Sequence, residues 1–73
     1  MTEKEKEIYE AIKNNADNNY IPYWYTLKLP VLKKYSYENK KKILEGMRKR
    51  GLIRFLTRNG YITNIEVLES NLE

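Results

Sequence analysis

Apolar residues recur at helical spacing in two long stretches of the chain, and the first stretch lies at the start of the sequence. Ile8 and Ile12 lie on one side of a helix in this stretch, and Thr2 and Glu5 ahead of them have the spacing of a capping box. Acidic residues fill the first turn, where the helix dipole favours them. The pattern therefore predicts a helix over about residues 3–15, with its charged side exposed.

The helical period then breaks, first in a stretch rich in Asn and then in an aromatic one. Residues 20–26 read YIPYWYT, and such side chains suit a pleated sheet, so we expect a short strand over about residues 23–26. We expect Trp24 and its neighbours to fill the core or a subunit interface, the alternative being a platform on which single-stranded bases stack. Pro30 suits the first turn of a helix and predicts a short second helix over about residues 29–35.

The second long helical stretch follows Ser36, a good N-cap residue, and ends at Gly51. It predicts a helix over about residues 37–50, and the residues of its apolar arc are Tyr37, Ile43, Leu44 and Met47. Lys40 projects into the middle of this arc. Either its stem is buried and its ammonium emerges at the helix end, or the helix begins at another residue. Gly46 indicates either close approach of another helix or simple tolerance.

Asn59-Gly60 between two apolar segments is typical of a type I′ β-hairpin, which we expect over about residues 53–65. In the expected register Thr57 faces Ile62, Phe55 faces Asn64, and the core face holds Ile53, Phe55 and Ile62. A C-terminal segment, residues 66–73, follows the hairpin. Apolar residues from Ile65 onwards favour a short helix there over a frayed strand.

Composition removes several classes of function. The chain has 73 residues and neither Cys nor His, so we expect one domain over residues 1–73 without disulfides, metal or cofactor. The commonest general base and the commonest covalent nucleophile are missing, so we expect no enzymatic activity. No apolar run approaches the length of about 18 residues that a membrane span needs, and the polar start is unlike a secretory signal. We therefore expect a cytoplasmic protein that does not bind membranes.

Positive charge is concentrated in one segment. Residues 1–32 sum to −1, residues 33–50 to +6 and residues 51–73 to −1, which gives the net charge of +4. A cluster of this kind is typical of a surface that binds a polyanion. The alternative is a solvated helix face without a partner.

The order of these elements resembles the winged helix-turn-helix family of DNA-binding domains. The resemblance covers nearly the whole chain and is carried by residues 30–35, Ser36, Leu44, Met47, Gly51-Leu52-Ile53 and Arg58-Asn59-Gly60-Tyr61. It implies an α+β fold, mainly α, with a three-helix core, a short strand between the first two helices and a two-stranded wing. Lys40 departs from the pattern, because the family usually has an apolar residue there.

The resemblance implies sequence-specific binding of double-stranded DNA by a transcriptional regulator. The third helix would enter the major groove, and the wing would reach the adjacent minor groove or backbone. Candidate base contacts are Glu38, Asn39, Lys41, Lys42 and Glu45. Candidate phosphate contacts are Lys33, Lys34, Ser36 and Tyr37. Arg58 and Asn59 are the wing candidates, with Arg58 as the minor-groove probe.

Small size and spare apolar residues lead us to expect a homodimer, and two other functions stay open. The residues in question are Trp24, Tyr25, Leu68 and Leu72. A winged helix can also serve as a protein-interaction module, in which the basic helix meets an acidic protein. The other alternative is binding of RNA or single strands through Tyr20, Tyr23, Trp24 and Tyr25. Frequent Lys, Asn, Ile and Tyr suit an AT-rich genome, as in some viruses and mobile elements.

Overall fold

The computed structural model describes residues 2–68, and over these residues the protein is a small α+β fold. Three α-helices and one 3₁₀ turn make up about half of the chain, and three strands form an antiparallel sheet. The bounds are α1 Glu3–Asn15, β1 Tyr20–Pro22, α2 Tyr23–Leu27, the 3₁₀ turn Pro30–Leu32, α3 Tyr37–Lys49, β2 Ile53–Arg58 and β3 Tyr61–Val67. The strand order is β1-β3-β2, so β3 is central. Within residues 2–68, every helix is too short or too polar to cross a membrane.

The predicted first helix is confirmed, and its capping box is half formed. The Thr2 hydroxyl accepts a hydrogen bond of 3.1 Å from the backbone N–H of Glu5. The Glu5 carboxylate does not complete the box, because it pairs with Arg50 just after α3. Ile8 and Ile12 are fully buried, as the helical spacing predicts. α1 therefore packs through its apolar stripe, and its charged residues are exposed except for Glu5, which is largely buried against Arg50.

The strand predicted over residues 23–26 is wrong, because the strand comes earlier and a helix takes its place. Asn18 and Asn19 have positive φ values of 55° and 72° and turn the chain, so that Tyr20–Pro22 pairs with β3. The extended Pro22 then precedes α2, and the Thr26 hydroxyl donates to its carbonyl at 2.9 Å. Aromatic residues favour strands only where a partner strand is within reach, and β3 pairs with the segment before them.

The second helix predicted over residues 29–35 is also wrong, because only a 3₁₀ turn forms there. The backbone N–H of Leu32 donates to Leu29 at 2.9 Å, and that of Lys33 donates to Pro30 at 3.1 Å. Both bonds span three residues, which is the 3₁₀ pattern. Pro30 stands at the first position as expected, and Leu32 is fully buried. α2 lies ahead of the segment in which the helix was expected, and only the 3₁₀ turn lies within it.

α3 agrees with its prediction at both ends. The Ser36 hydroxyl accepts from the backbone N–H of Asn39 at 3.2 Å, so Ser36 is the N-cap. Gly51 has a φ of +78°, and the N–H of Leu52 donates to the Met47 carbonyl at 3.0 Å, as in a Schellman cap. Leu44 and Met47 are fully buried and Ile43 packs partly against the core. Tyr37 does not belong to the buried arc, because its side chain is 58% exposed.

The hairpin turn is confirmed, whereas part of its register is wrong. Asn59 and Gly60 have φ values of 53° and 83°, as a type I′ turn requires, and Thr57 pairs with Ile62. Phe55 pairs with Ile65 and not with Asn64, because an irregularity between Leu56 and Thr57 makes Thr63 an extra residue on β3. The Thr63 hydroxyl donates to the Leu56 carbonyl at 3.2 Å. This is a β-bulge, and it changes which residues of β3 face inward.

The bulge determines which residues of β3 belong to the core. Ile65 and Val67 pair with Phe55 and Ile53 and are buried, whereas Ile62 is only half-buried and lies outside the core cluster. The short helix predicted from Ile65 onwards is therefore wrong as far as Val67, where the chain is strand. The rest of that prediction, over residues 69–73, lies outside the described residues.

A single core cluster lies between the helices and the sheet. Its fully buried side chains are Ile8, Ile12, Ile21, Leu32, Leu44, Met47 and Ile65, joined by Leu52 and Ile53 at 1% exposure. Trp24 contributes nothing to this core, since it is 61% exposed. The core part of the expectation is therefore wrong for Trp24, whereas its neighbour Tyr23 does pack against the core cluster. The alternative, that Trp24 fills a subunit interface, stays a prediction. The core fixes one side of α3 and leaves the opposite side in solvent.

Candidate nucleic-acid interface

The outward side of α3 carries a continuous polar stripe. A shallow depression runs along the helix there, lined by Glu38, Lys41, Lys42, Glu45, Gly46 and Lys49. These residues recur every three to four positions, so they lie on one side of α3, opposite the buried Leu44 and Met47. Four of the five candidate base contacts line this stripe. The fifth, Asn39, is exposed but does not line it.

Three cations of the basic segment, residues 33–50, form hydrogen bonds or ion pairs within the protein. The Lys40 ammonium donates to the Leu27 carbonyl at 2.7 Å. The Arg48 guanidinium donates through Nε and Nη2 to one carboxylate oxygen of Glu45, at 3.0 and 2.8 Å, and lies 6.0 Å from the ring centre of Phe55. Arg50 forms an ion pair with Glu5 of α1. These contacts join α3 and its C-terminal cap to α2, to β2 and to α1.

The position of Lys40 settles the question that its place in the apolar arc raised. The helix begins where predicted, directly after Ser36. The Lys40 stem is half-buried along the apolar side, and the ammonium reaches a backbone carbonyl at the end of α2 and does not emerge at an end of its own helix. Lys40 is thus directed towards α2, away from the polar stripe.

The lysines of the stripe have no ion pair among the described residues 2–68. These are Lys41, Lys42 and Lys49, all exposed. Lys49 is not among the candidate contacts that the sequence suggested. The signal that identifies it is its spacing, since it follows Lys42 by seven residues, or about two turns. The unpaired positive charge therefore runs the full length of the stripe.

The two carboxylates of the stripe have compensating surroundings. Glu45 is paired with Arg48, and Glu38 lies in the first turn of α3, where the helix dipole stabilises a negative charge. The Lys41 ammonium lies 5.4 Å from the ring centre of the exposed Tyr37. The stripe consequently presents more free positive than free negative charge.

The candidate phosphate contacts do not all lie together. Ser36 and Tyr37 begin α3, and Lys33 is exposed in the turn before it. Lys34 is directed elsewhere, because it lines a depression formed mainly by α1 and its Nζ lies 5.5 Å from the ring centre of Tyr35. The structure therefore separates Lys34 from the stripe on α3.

The wing candidates lie at the tip of the β2–β3 hairpin. Arg58 and Asn59 are exposed, and Arg58 has no ion pair within residues 2–68. The other arginine of β2, Arg54, pairs with Glu66 of the neighbouring strand β3. Arg58 pairs with Tyr61 across the turn, and Tyr61 is 76% exposed. The tip thus carries one free guanidinium beside an exposed aromatic ring.

α2 divides the aromatic cluster into an inward and an outward part. Tyr23 packs edge to face on Phe55 of β2, with ring centres 6.2 Å apart. Burial, and then the charges of Tyr37 and Glu45, raise the pKa of the Tyr23 phenol. Trp24 and Tyr25 face solvent in a T-shaped pair with ring centres 5.7 Å apart, and the Lys28 ammonium lies 5.7 Å from the Trp24 ring centre.

No arrangement of metal-ligating side chains occurs in the part of the chain that the structure describes. Comparison of this chain with protein families, with curated proteins and with solved structures found no match.

Proposed function

We propose that this protein binds double-stranded DNA in a sequence-specific manner and acts as a transcriptional regulator of the winged helix-turn-helix type. α3 would lie in the major groove, and the β2–β3 hairpin would reach the adjacent minor groove or backbone. The observation that carries the proposal is a row of ammonium groups, those of Lys41, Lys42 and Lys49, on the side of α3 opposite the core; none of them has an ion pair within residues 2–68. A rigid helix with free positive charge on its exposed side suits a polyanionic groove.

The fold is compatible with this type of binding. The element order places a strand between the first two helices, the most basic helix third and a hairpin after it, with β1 and β2 flanking β3. α3 has 13 residues and is therefore about 20 Å long. The major groove of B-DNA is about 12 Å wide and admits a helix of ordinary diameter.

The roles of the stripe residues follow from their chemistry. Lys41 and Lys42 can donate to the guanine acceptors O6 and N7, and Asn39 can pair with adenine. Glu38 can accept from the amino group of cytosine. Glu45 has one carboxylate oxygen engaged by Arg48, so only the other is free for a base.

Contacts that fix the protein on the duplex would come from the edges of the stripe. Lys33, Ser36, Tyr37 and Lys49 lie before or near the two ends of α3 and would contact phosphates there. Arg58 would enter the minor groove, where a narrow groove concentrates negative potential.

The test is a titration of labelled duplex DNA at several salt concentrations, read by fluorescence anisotropy. The variants are Lys41→Ala with Lys42→Ala and, separately, Arg58→Ala. The matched control is Lys6→Ala with Lys13→Ala on the exposed side of α1, which removes the same charge. Each lost phosphate contact should reduce the slope of log affinity against log salt by about 0.9. If the α3 double variant and its control weaken binding equally, α3 is not the DNA-binding element.

Sequence specificity and the dimer are tested by selecting bound sites from random duplexes. A specific regulator enriches one motif, whereas a nonspecific binder enriches none. In helix-turn-helix dimers the two half-sites lie about one turn of B-DNA, 34–36 Å, apart. A motif made of two inverted half-sites at that spacing would support a dimer. Enrichment of a single half-site would instead indicate a monomer.

A second candidate function is binding of single-stranded nucleic acid, and the exposure of Trp24 favours it. Trp24 is 61% exposed beside Tyr25 and Lys28, and stacking on such rings tolerates any base. Trp24 is the single tryptophan of the chain, so its fluorescence reports this surface alone. Quenching by an oligothymidine, together with weaker binding of the Trp24→Ala variant, would support this function. Binding of duplex alone, with Trp24 emission unchanged, would count against it.

A further inference from the structure

Lys40 has surroundings unlike those of the two lysines that follow it. Its side chain is half-buried, and its ammonium donates to the Leu27 carbonyl at 2.7 Å. Lys41 and Lys42 are exposed and line the polar stripe. Successive residues of a helix are rotated by about 100°, so one step along α3 separates a lysine directed at α2 from one directed at solvent. The triple lysine therefore contains two different kinds of residue.

The Leu27 carbonyl needs a partner from outside its own helix. It belongs to the last residue of α2, and the last carbonyls of a helix lack partners within it. The backbone N–H groups of Lys28 and Leu29 turn back to Tyr25 and Thr26, at 3.0 and 3.1 Å. The ammonium of Lys40 is thus the group that satisfies the Leu27 carbonyl, in a charge-assisted hydrogen bond.

This bond joins the two helices that a helix-turn-helix unit must hold at a fixed angle. Its partners are 13 residues apart in the chain, one at the end of α2 and the other in the first half of α3. An apolar residue at position 40 would fill the arc between Ile43 and Leu44, but it would leave the carbonyl unpaired. Loss of a partner from a desolvated carbonyl costs more than the bond itself contributes.

We propose that Lys40 is a positioning residue, whose ammonium holds the first turns of α3 against the end of α2 and so sets the direction in which Lys41 and Lys42 meet DNA. Lys40 itself makes no contact with the duplex. The inference rests on the proposed duplex binding, but the contact between the two helices is testable without DNA.

The first measurement is the carbonyl ¹³C chemical shift of Leu27 in the free protein. Lys40→Met keeps most of the stem and removes the donor, so the Leu27 resonance should move. Lys40→Arg restores a cationic donor and should bring the resonance back towards its original position. The matched control Lys41→Met removes the same charge one residue away and should leave Leu27 unchanged. An unchanged Leu27 resonance in Lys40→Met, in a protein whose amide spectrum shows that it is folded, overturns the contact.

The second measurement is duplex affinity as a function of salt for the same three variants. Lys40→Met should weaken binding about fivefold, the equivalent of about 1 kcal/mol for one hydrogen bond, with the salt slope unchanged. Lys41→Met should reduce the slope, because it removes a cation from the interface. Lys40→Arg should recover affinity. A reduced slope in Lys40→Met means that Lys40 contacts DNA directly and overturns the proposal, as does wild-type affinity in that variant.

The two measurements separate failure of this inference from failure of the proposed function. If the wild-type protein binds no duplex, both the proposed function and the role of Lys40 in DNA binding are refuted. The Leu27 resonance then still decides whether Lys40 joins α3 to α2. If the wild type binds and only the Lys40 variants behave otherwise than expected, the positioning role alone is refuted.

Discussion

Replacing Gly46 by Ala should stabilise the protein, because nothing within the described fold requires a glycine at this position. Gly46 lies inside α3 with no positive φ, and glycine in a helix interior costs about 1 kcal/mol relative to alanine. Among the residues that the structure describes, a Cβ would meet only Nη1 of Arg50, at 3.4 Å. That atom is the end of a flexible side chain and can move by a few tenths of an ångström. Close approach of another helix is thus not the reason for Gly46.

Urea unfolding measures the size of this gain. The free energy of unfolding should rise by about 0.5–1 kcal/mol, the propensity difference less a small adjustment of Arg50. In a domain of this size each kcal/mol raises the melting temperature by about 4–8 °C. The unfolding slope should stay constant, since the surface exposed on unfolding hardly changes.

The matched control is the same substitution at Gly51. Gly51 has a φ of +78° in the cap that ends α3, and a Cβ in the left-handed region costs about 1–2 kcal/mol. Open space around it does not help, because the penalty lies in the backbone. Gly46→Ala should therefore stabilise and Gly51→Ala destabilise. If both variants lose stability, the account of Gly46 is wrong and its neighbours in α3 must restrict the backbone.

Two further predictions concern tyrosines. The Tyr9 hydroxyl donates to the Leu68 carbonyl at 2.7 Å. Tyr9→Phe removes this hydrogen bond and should lower the free energy of unfolding, measured in urea, by about 1 kcal/mol. An unchanged free energy of unfolding would mean that the bond contributes nothing to stability. The pKa of Tyr23 is raised above its usual value near 10, by burial first and then by the charges of Tyr37 and Glu45. Stability from its neutral phenol is therefore intact below about pH 10 and is lost as the pH rises through the folded pKa. Tyr23→Phe should flatten this alkaline loss in urea titrations, and an equal loss in both proteins would assign it to another group.

Features that a few neighbouring residues determine could be predicted from the sequence. Ser36 and Gly51 define the ends of α3 through contacts within four or five residues. Asn59 and Gly60 define the hairpin turn through their own backbone angles. The physical cause of each feature lies inside the segment that contains it, so the residue pattern was sufficient.

Features that depend on a distant partner could not be predicted in this way. β1 is a strand because Ile21 pairs with Ile65, far along the chain, and the more aromatic residues that follow it become helical. The bulge at Thr63 likewise depends on how Ile65 and Val67 meet the core. Local propensity carries no information about either pairing, and tertiary contacts decided both.

The same division applies to the candidate site. The sequence shows the positive charge of residues 33–50, but it does not show which of these cations contact other parts of the fold and which stay free to bind a partner. Lys40, Arg48 and Arg50 reach acceptors on α2, on α3 itself and on α1, and Arg50 and Glu5 are 45 residues apart. Lys49, by contrast, needed no distant information, because its spacing from Lys42 already placed it on the exposed side of α3.

The distribution of cations on α3 also weighs against the solvated-face alternative. Three cations, Lys40, Arg48 and Arg50, lie where α3 and its cap meet α2, β2 and α1, and each contacts a partner on the neighbouring element. The remaining lysines, Lys41, Lys42 and Lys49, share one side with two carboxylates, Glu38 and Glu45, and Arg48 already occupies Glu45. Lysines thus exceed free carboxylates on this side of α3, and solubility does not require such an excess of one sign. A charge reversal such as Lys42→Glu places a third carboxylate between Glu38 and Glu45, so it should lower the free energy of unfolding by a few tenths of a kcal/mol per like-charge pair, while strongly weakening duplex binding. A solvated face would show the small loss of stability without any loss of duplex binding.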